Sequence, residues 1–586
     1  MNAKTWNLLR PPAEAVGTLV AELGISGTLA AILVNRGVAD PGAASAFLEP
    51  ALSRLHDPLL MRGMADAVYT VASAVREGRR IVVWGDYDVD GVTGTALLVD
   101  FLRRHTPHVA YHIPHRIEDG YGLDGAAIRR LAADGVTLIV TVDCGISSCA
   151  EISAARSLGI DVVVTDHHEP PAALPPANAV LNPRRAGCGY PFKGLAGVGI
   201  AFKLAQNLAR LIGPGATGGD DERLLSYLDL VALGTVADIA PLLGENRILV
   251  RHGLELLGAS LRPGVRALLE AARIEKRPLR ASQIGFGMGP RINAAGRLDR
   301  ADTAVELFLT GEMRHARRCA DTLERLNLRR REIEAQIRAE AVRLVEDTPG
   351  MLEESTLVLA DPGWHPGVIG IVAAKISERF GRPALLISTA HEPAKGSARS
   401  IAGVDLYTRL DGCRPLFTAL GGHSHAAGFS IRRADIPRLR HELNRHADGA
   451  VRTLPAARGL DIDALVSFRE IGPALSDELR RLAPFGQHNP EPVFAARDVR
   501  LTLPPRTVGG NHLRLTLAQK TRELDRTSLH RHSFIGFNLG EAAGGLADGM
   551  RVDVAFDLDL EGGSYGSWER FRLRDLAAAQ QEEQCR

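Results

Sequence analysis

The sequence predicts a multidomain α/β chain: a parallel-sheet domain, a long connecting helix, a second α/β domain and a C-terminal antiparallel OB-like β-barrel. Three observations predict it. From residue 75 onward, apolar bursts of strand length alternate with helix-like stretches. The segment 311–347 contains no Pro, and no Gly after its first residue. Beyond 455 the pattern becomes short strands of roughly period-two character. At 586 residues the chain is also too long for one core.

Residues 1–74 mix short helical patterns with Pro and Gly punctuation and carry no chemical cluster. Over 75–245, "RIVVWG", "HVAYHIP", "VTLIVTVD", "IDVVVTDHH" and "NAVLNP" read as buried strands, with "DGAAIRRLAADG" and "CAEISAARSLG" as helices between them. Continuous apolar strands separated by amphipathic helices imply a parallel sheet covered on both faces. Residues 246–350 form a helical connector. Within it Leu323, Leu326, Ile333, Ile337 and Leu344 recur at steps of three, four or seven, on one helical face. "STLVLAD" opens the second α/β unit, 351–450, whose last strand-like burst is "ALGGHSHAAGFSI". In 451–586 five bursts, "EPVFAARDVRLTL", "NHLRLTLAQ", "HSFIGFNL", "MRVDVAFDLDLE" and "ERFRLRDL", predict the barrel.

The composition, 45% apolar and 24% charged, is that of a soluble globular protein. Net charge is +1, so an anionic partner must be attracted by local patches. Six cysteines (144, 149, 188, 319, 413 and 585) lack CxxC spacing, which argues against a zinc finger or disulfide framework and for a reducing interior. The N-terminal "MNAKTWNLLRPPAEAV" lacks the apolar core of a signal peptide, and no run of 18 apolar residues exists. The expectation is a soluble, cytoplasmic protein with no membrane association.

The stretch "GDYDVDGVTGTAL", Gly85 to Leu97, begins as a calcium loop does, with Asp86, Asp88 and Asp90 alternating before Gly91. The closing Glu of such a loop is replaced by Leu97, and an apolar strand rather than a helix precedes it, so the calcium reading fails. Ligands of doubly wound sheets sit outside the carboxyl ends of the strands. There this chain delivers Asp86, Asp88 and Asp90, then Asp143, then Asp166, His167 and His168, with Asp238 at the end of "LVALGTVAD". Singly, such an Asp is usually an N-cap, and "DHHEP" could be a polar loop. Jointly, carboxylates on one rim repel unless cations neutralise them. Oxygen ligands with imidazole suit magnesium or manganese, and two such ions are the usual device for displacement at phosphorus.

"GDYDVDG", "VDCGIS", "TDHHEP" and "LGTVADIAPL" resemble, in order, the four motifs of the DHH phosphoesterase superfamily. "GFGMGPRINAAGRLD", "WHPGVIGIVAAKI", "GSARSI" and "GGHSHAAGFSI" narrow the resemblance to its bacterial single-strand-specific 5′→3′ DNA exonucleases of repair and recombination, over about 75–575. The resemblance implies two ions, Mn2+ or Mg2+, held by Asp88, Asp90, Asp143, His167 and Asp238, with Asp143 bridging them. It implies that His168 stabilises charge on the scissile phosphate and that Asp166 orients an imidazole. Asp86 receives no clear role. Val89 stands where the family motif usually has Ala, which adds bulk but removes no donor.

The 351–450 unit resembles the DHHA1 domain, so His423 is expected at phosphate, with Ser397, Arg399, Arg291, Arg297 and Arg116 gripping a terminal 5′-phosphate. Any of these arginines could instead serve a salt bridge. Residues 170–219 hold Arg184, Arg185, Lys193, Lys203 and Arg210 and no acid, and 497–531 has eight Lys or Arg against three acids. Basic faces of this kind track single-stranded backbone. The expected substrate is single-stranded DNA with a 5′ end. Single-strand-binding protein, a helicase and a monomeric state are family expectations without a motif of their own. Two rivals are a DHH phosphodiesterase acting on short oligonucleotides or other small phosphates, and a catalytically silent single-strand-binding scaffold. The barrel counts against the first, and the complete ligand set against the second.

Overall fold

The structure is a computed structural model that describes residues 5–212, 223–259, 261–275, 278–445, 459–523, 526–558 and 571–579. Strands Val109–His112, Arg80–Gly85, Val136–Val142, Asp161–Thr165 and Ala179–Leu181 lie side by side in that order, every neighbouring pair parallel. Both faces are covered. Ile81 and Val83 enter one apolar core while Val82 and Trp84, one residue out of phase, enter another. The first strand in sequence therefore sits between the second and the third. Chain direction along the sheet reverses there, between Gly85 and Val142, and that switch point is where such sheets open a ligand crevice.

The first 74 residues are divided between two cores. Helices Ala13–Leu23, Gly27–Asn35 and Pro41–Leu48 pack with the barrel, and strand Trp6–Leu8 pairs with Leu460–Ile462. Helix Met64–Arg76 instead packs into the core of the parallel sheet. The buried Arg247 guanidinium ties these parts together by donating to the carbonyls of Phe47, Arg481, Leu482 and Ala483.

Helix Met313–Asp347 has 35 residues, so it spans about 52 Å. Ala316, Ala320 and Leu323 belong to the core of the parallel-sheet domain, and Ile337, Ala341 and Val345 to that of the second α/β unit. Leu344, expected on the buried face, is 37% exposed. An ideal helix drifts by about 20° per heptad, so a stripe counted in sevens from Leu323 has rotated toward solvent by then, and Val345 takes its place.

The second unit carries a mixed sheet, Phe417–His423, Ala426–Ile431, Ala394–Arg399, Ala384–Ser388 and Leu357–Asp361 in spatial order. "GGHSHAAGFSI" is thus a hairpin rather than one strand. The barrel strands Phe494–Leu501, His512–Glu523, Arg526–Gly536, Arg551–Leu558 and Phe571–Ala578 close in the order 1-2-3-5-4-1. Four of the pairings are antiparallel, as expected; the fifth, Arg526–Gly536 with Phe571–Ala578, is parallel. Among the described residues no helix is long and apolar enough to cross a membrane.

Candidate metal centre

Helix Val89–Arg103 starts immediately beyond strand Arg80–Gly85, and Asp88 is its N-cap. Asp88 Oδ1 accepts from the N–H groups of Asp90 (2.9 Å) and Gly91 (3.1 Å). Asp90 is buried in the first turn. Its two oxygens accept from the opening N–H groups of helix Gly197–Ile212, Gly197 at 2.6 Å and Val198 at 2.7 Å. The positive end of that helix dipole holds the carboxylate. Val89 is buried, and its added bulk lies in the core.

Asp143 follows strand Val136–Val142 in the left-handed region, φ 62°, where non-glycine residues are uncommon. It does not cap the next helix, since Ser148 holds that position before Cys149–Ser157. Its N–H donates to the Thr165 carbonyl (3.0 Å), and its carbonyl accepts from the Tyr121 hydroxyl (3.1 Å). Asp238 ends a helix, Leu228–Ala237.

His167 Nε2 lies 3.0 Å from Asp143 Oδ1, 3.8 Å from Asp238 Oδ2 and 3.9 Å from Asp90 Oδ2. The shortest of these is not aligned as a hydrogen bond. His167 Nε2 and Asp143 Oδ1 are buried without a hydrogen-bond partner, as is Asp86 Oδ1. Two groups of donor atoms, each within 4.8 Å of one another, are Asp86 with Asp88 and Asp143, and Asp90 with His167 and Asp238. Asp143 links them through its contact with His167. The sequence left Asp86 without a role; the fold brings it into the first group.

Burial, with the Asp88 charge adding, pushes the Asp90 carboxyl up to about 7. Burial, then Asp90 and Asp88, pushes Asp238 up to about 9. Asp86 and Asp143 are also raised well above the carboxylate range, by burial first and neighbouring carboxylates second. Burial and the charge of His168 hold His167 down to about 3, so its imidazole is neutral and free to act as a ligand. His168 moves the other way, to about 9, because a 2.7 Å bond from Nδ1 to Asp166 Oδ1 outweighs its burial. Asp166 is buried, yet the His168 bonds hold it below the usual range. Its oxygens also accept the N–H groups of Ile146 (2.9 Å) and His168 (3.0 Å). Orphaned buried oxygens, mutual repulsion and a neutral imidazole fit two hard divalent cations.

Beside this row lies a group of cations. Arg116 sits over the Tyr87 ring at 4.7 Å. Arg297 donates to the Gly367 carbonyl (3.1 Å), and burial, then Arg116 and Arg399, push its guanidinium down to about 9. Arg399 donates to Ser397 Oγ (3.2 Å) beside Gly370, at the start of helix Ile369–Phe380, and is lowered by burial and by Arg116. His423, exposed at the end of its strand, is lowered by burial first, then by His425, Arg399 and His168. Arg291 is not part of this group. Its Nε lies 2.6 Å from Glu324 on the long helix, and Nη1 donates to the Gly287 carbonyl.

The five cations of 170–219 do not make one basic face. Lys203 is fully buried, with Nζ 2.7 Å from Glu245 Oε1, and Arg210 pairs with Asp57 at 3.2 Å. Residues 213–219 of that stretch lie outside the described residues, as do the side chains of Arg522 and Arg526 in the barrel. Sequence reasoning missed Tyr121, whose hydroxyl is 3.1 Å from His168 Nδ1, and Asn182, which donates to the His168 carbonyl at 2.8 Å. Tyr121 follows a Gly-flanked loop with no periodicity. Only the Asn-Pro step after "AVL" hinted at Asn182.

Residues 80–235 match the DHH family N-terminal domain, 353–448 the DHHA1 domain and 462–563 the RecJ OB domain. The single-stranded-DNA-specific exonuclease RecJ of Bacillus subtilis (strain 168) is 35% identical over 98% of this chain and 71% of its own length. That of Dickeya dadantii (strain 3937) is 42% identical over 88% and 90%. The crystal structure of RecJ in complex with Mn2+ from Thermus thermophilus superposes with a TM-score of 0.80 at 32% identity, over 98% of this chain and 80% of that one. The Mg2+ complex from the same organism gives 0.75 at 30% identity, over 98% and 79%.

Proposed function

Because the chain belongs to the RecJ family of single-stranded-DNA-specific exonucleases, we propose that it hydrolyses single-stranded DNA from the 5′ end, one nucleotide at a time, with two divalent ions. Asp86, Asp88 and Asp143 would hold one ion, and Asp90, His167 and Asp238, with Asp143 shared, the other. Bound there, Mn2+ or Mg2+ would supply Lewis-acid stabilisation of the phosphodiester and activation of water.

The chain's own groups do the rest. Asp166 fixes the His168 ring through Nδ1, which keeps the imidazole charged and leaves Nε2–H to donate to a phosphate oxygen as charge develops. Tyr121 adds a second hold at the same ring. Arg116, Arg297 and Arg399, with Ser397 beside them, form a half-buried cationic group that a terminal 5′-phosphate would neutralise. Polarity follows from that capture, since only a 5′ end carries such a group.

The observation that carries this reading is the pair of donor groups linked by the contact of Asp143 with His167 at the sheet's switch point, beside arginines that repel one another. The closed barrel favours a long substrate over a small phosphate, and the complete donor set speaks against a silent scaffold. A cytoplasmic monomer working with single-strand-binding protein and a helicase belongs to the same proposal.

The test is a time course with Mn2+ on one oligonucleotide labelled at either end, beside a blunt duplex. Release of the 5′-terminal nucleotide, a shrinking 3′-labelled ladder, an intact duplex and loss of activity in Asp143→Ala are expected. An oligonucleotide that binds and survives would support the scaffold instead. Loss of very short oligonucleotides alone would support the small-substrate enzyme.

A further inference from the structure

A cavity of about 520 Å³ opens beside the metal centre, lined by Arg184, Arg185, Lys193 and Glu169 together with Gly187 and Gly194. Its wall is anchored to the DHH motif. Asn182 donates from Nδ2 to the His168 carbonyl, and its Oδ1 accepts the Arg184 N–H, each at 2.8 Å. Arg184 faces Glu169 across 3.7 Å, and that acid is 83% exposed. Arg185 donates to the Val180 carbonyl (2.7 Å), while its buried Nε has no hydrogen-bond partner. Lys193 donates to the Cys188 carbonyl (2.7 Å), and Arg62 reaches the same loop at the Ala186 carbonyl (3.2 Å). Carbonyl groups fix these cations but do not cancel their charge, so four cations meet one exposed acid. A concave, positively charged wall concentrates anions.

Its position gives the anion an identity. Arg116 lies over the ring of Tyr87, between Asp86 and Asp88, whereas the backbone of Arg184 is tied through Asn182 to the carbonyl of His168, beyond the strand Asp161–Thr165. The two cationic groups therefore flank the metal centre. Past the cavity, a Cβ on Gly194 would lie 3.5 Å from Pro241, and the next residue, Leu242, donates to the Gln487 carbonyl at 2.9 Å, just before the barrel. A strand held by its 5′-phosphate at Arg116, Arg297 and Arg399 would cross the ions and then meet this cavity.

We propose that the cavity formed by Arg184, Arg185 and Lys193 binds a backbone phosphate of the DNA strand on the 3′ side of the scissile bond, between the metal centre and the barrel. The proposal rests on the exonuclease reading. A released nucleoside monophosphate offers the same phosphate chemistry, and the experiment separates the two sources.

Binding is measured by fluorescence anisotropy in EDTA, where no cleavage occurs, over a series of salt concentrations. Wild type, Arg185→Ala/Lys193→Ala and Lys193→Arg are compared on a long 5′-phosphorylated oligonucleotide, a 5′-phosphorylated dinucleotide and deoxythymidine monophosphate. In the double variant the long strand should bind about tenfold more weakly, with the slope of log K against log salt reduced by about 0.7 for each lost phosphate contact. The dinucleotide and the monophosphate, which have no phosphate beyond the scissile position, should bind unchanged, and Lys193→Arg should match wild type. Unchanged binding of the long strand would overturn the proposal. So would weakened monophosphate binding with the long strand unaffected, which would make the cavity a product site. Degradation of the long strand by wild type in Mn2+ is checked first. Its failure sinks the exonuclease reading, whereas an unaffected variant of an active enzyme sinks the cavity alone.

Discussion

Gly197→Ala puts a methyl group where the fold leaves no room. Its Cβ would lie 2.7 Å from Asp143 Cβ, 2.9 Å from Oδ1 and 3.0 Å from Cγ. Carbon atoms settle at about 3.5–4.0 Å, so the Asp143 side chain must retreat by roughly 1 Å. Little else can move. Asp143 has its backbone tied to Thr165 and Tyr121, and Gly197 itself, with Val198, holds Asp90. The displacement therefore falls on the carboxylate that belongs to one donor group and touches His167 of the other. Overpacking of this kind costs about 1–3 kcal/mol of stability, but a misplacement of about 1 Å at the reacting centre costs about 10²-fold in rate. The expected result is kcat/KM for single-stranded DNA about 10²-fold lower and weaker Mn2+ binding by calorimetry, with the circular dichroism spectrum retained. Gly17→Ala is the control: it lies inside helix Ala13–Leu23 with nothing within 4 Å of the new methyl, and should leave activity unchanged. Wild-type kcat/KM and Mn2+ affinity in Gly197→Ala would refute the packing argument.

Three further outcomes follow from the same geometry. Asp166→Asn removes the carboxylate charge behind the bond that lifts His168 to about 9, so its pKa should fall toward about 6.5. If the imidazolium is the active form, the alkaline limb of the pH–rate profile moves to lower pH; an unmoved limb would remove His168 from that role. Lys203→Ala strands Glu245, which is 1% exposed and otherwise held by Tyr190 and the His56 N–H, at a cost of about 3–5 kcal/mol, read as a lower urea midpoint. Chelation should destabilise the protein in a pH-dependent way. Between the ordinary 3.8 and the raised values of about 7 for Asp90 and about 9 for Asp238, the folded metal-free chain keeps protons that the unfolded chain has lost. Its stability therefore falls as pH rises through that window, and Mn2+, by replacing those protons, should raise the melting temperature more near about pH 8 than near about pH 6. At a concentration of about 100 Kd the ion contributes about 2.7 kcal/mol. Equal melting shifts at the two pH values would contradict the assignment.

The parallel sheet and the acidic rim were legible because their signals are local. Apolar runs end in Asp86, Asp143 and Asp166, and the switch-point rule then gathers them. What escaped depends on contacts between distant segments. Arg291 and Arg297 share one motif, yet the first pairs with Glu324 and the second joins the cationic group, a choice made by the long helix. Lys203 counts as a basic residue in sequence but is consumed by Glu245, with no local sign of it. The hold on Asp90 by Gly197 and Val198 comes from a helix start more than one hundred positions away. Asp86 shows the limit most clearly. Its spacing is that of Asp88 and Asp90, and only the backbone path beyond Gly85 shows that it turns toward Asp143.

Titrating the metal-free protein with Mn2+ while recording electron paramagnetic resonance spectra tests most directly whether Asp143 joins two ion sites. Two ions per chain with an exchange-coupled signal are expected, with nucleotide release from the 5′ end emerging as the second ion binds and the coupling lost in Asp143→Ala. A single ion at saturation, or two that never couple while the enzyme is active, would contradict a shared Asp143.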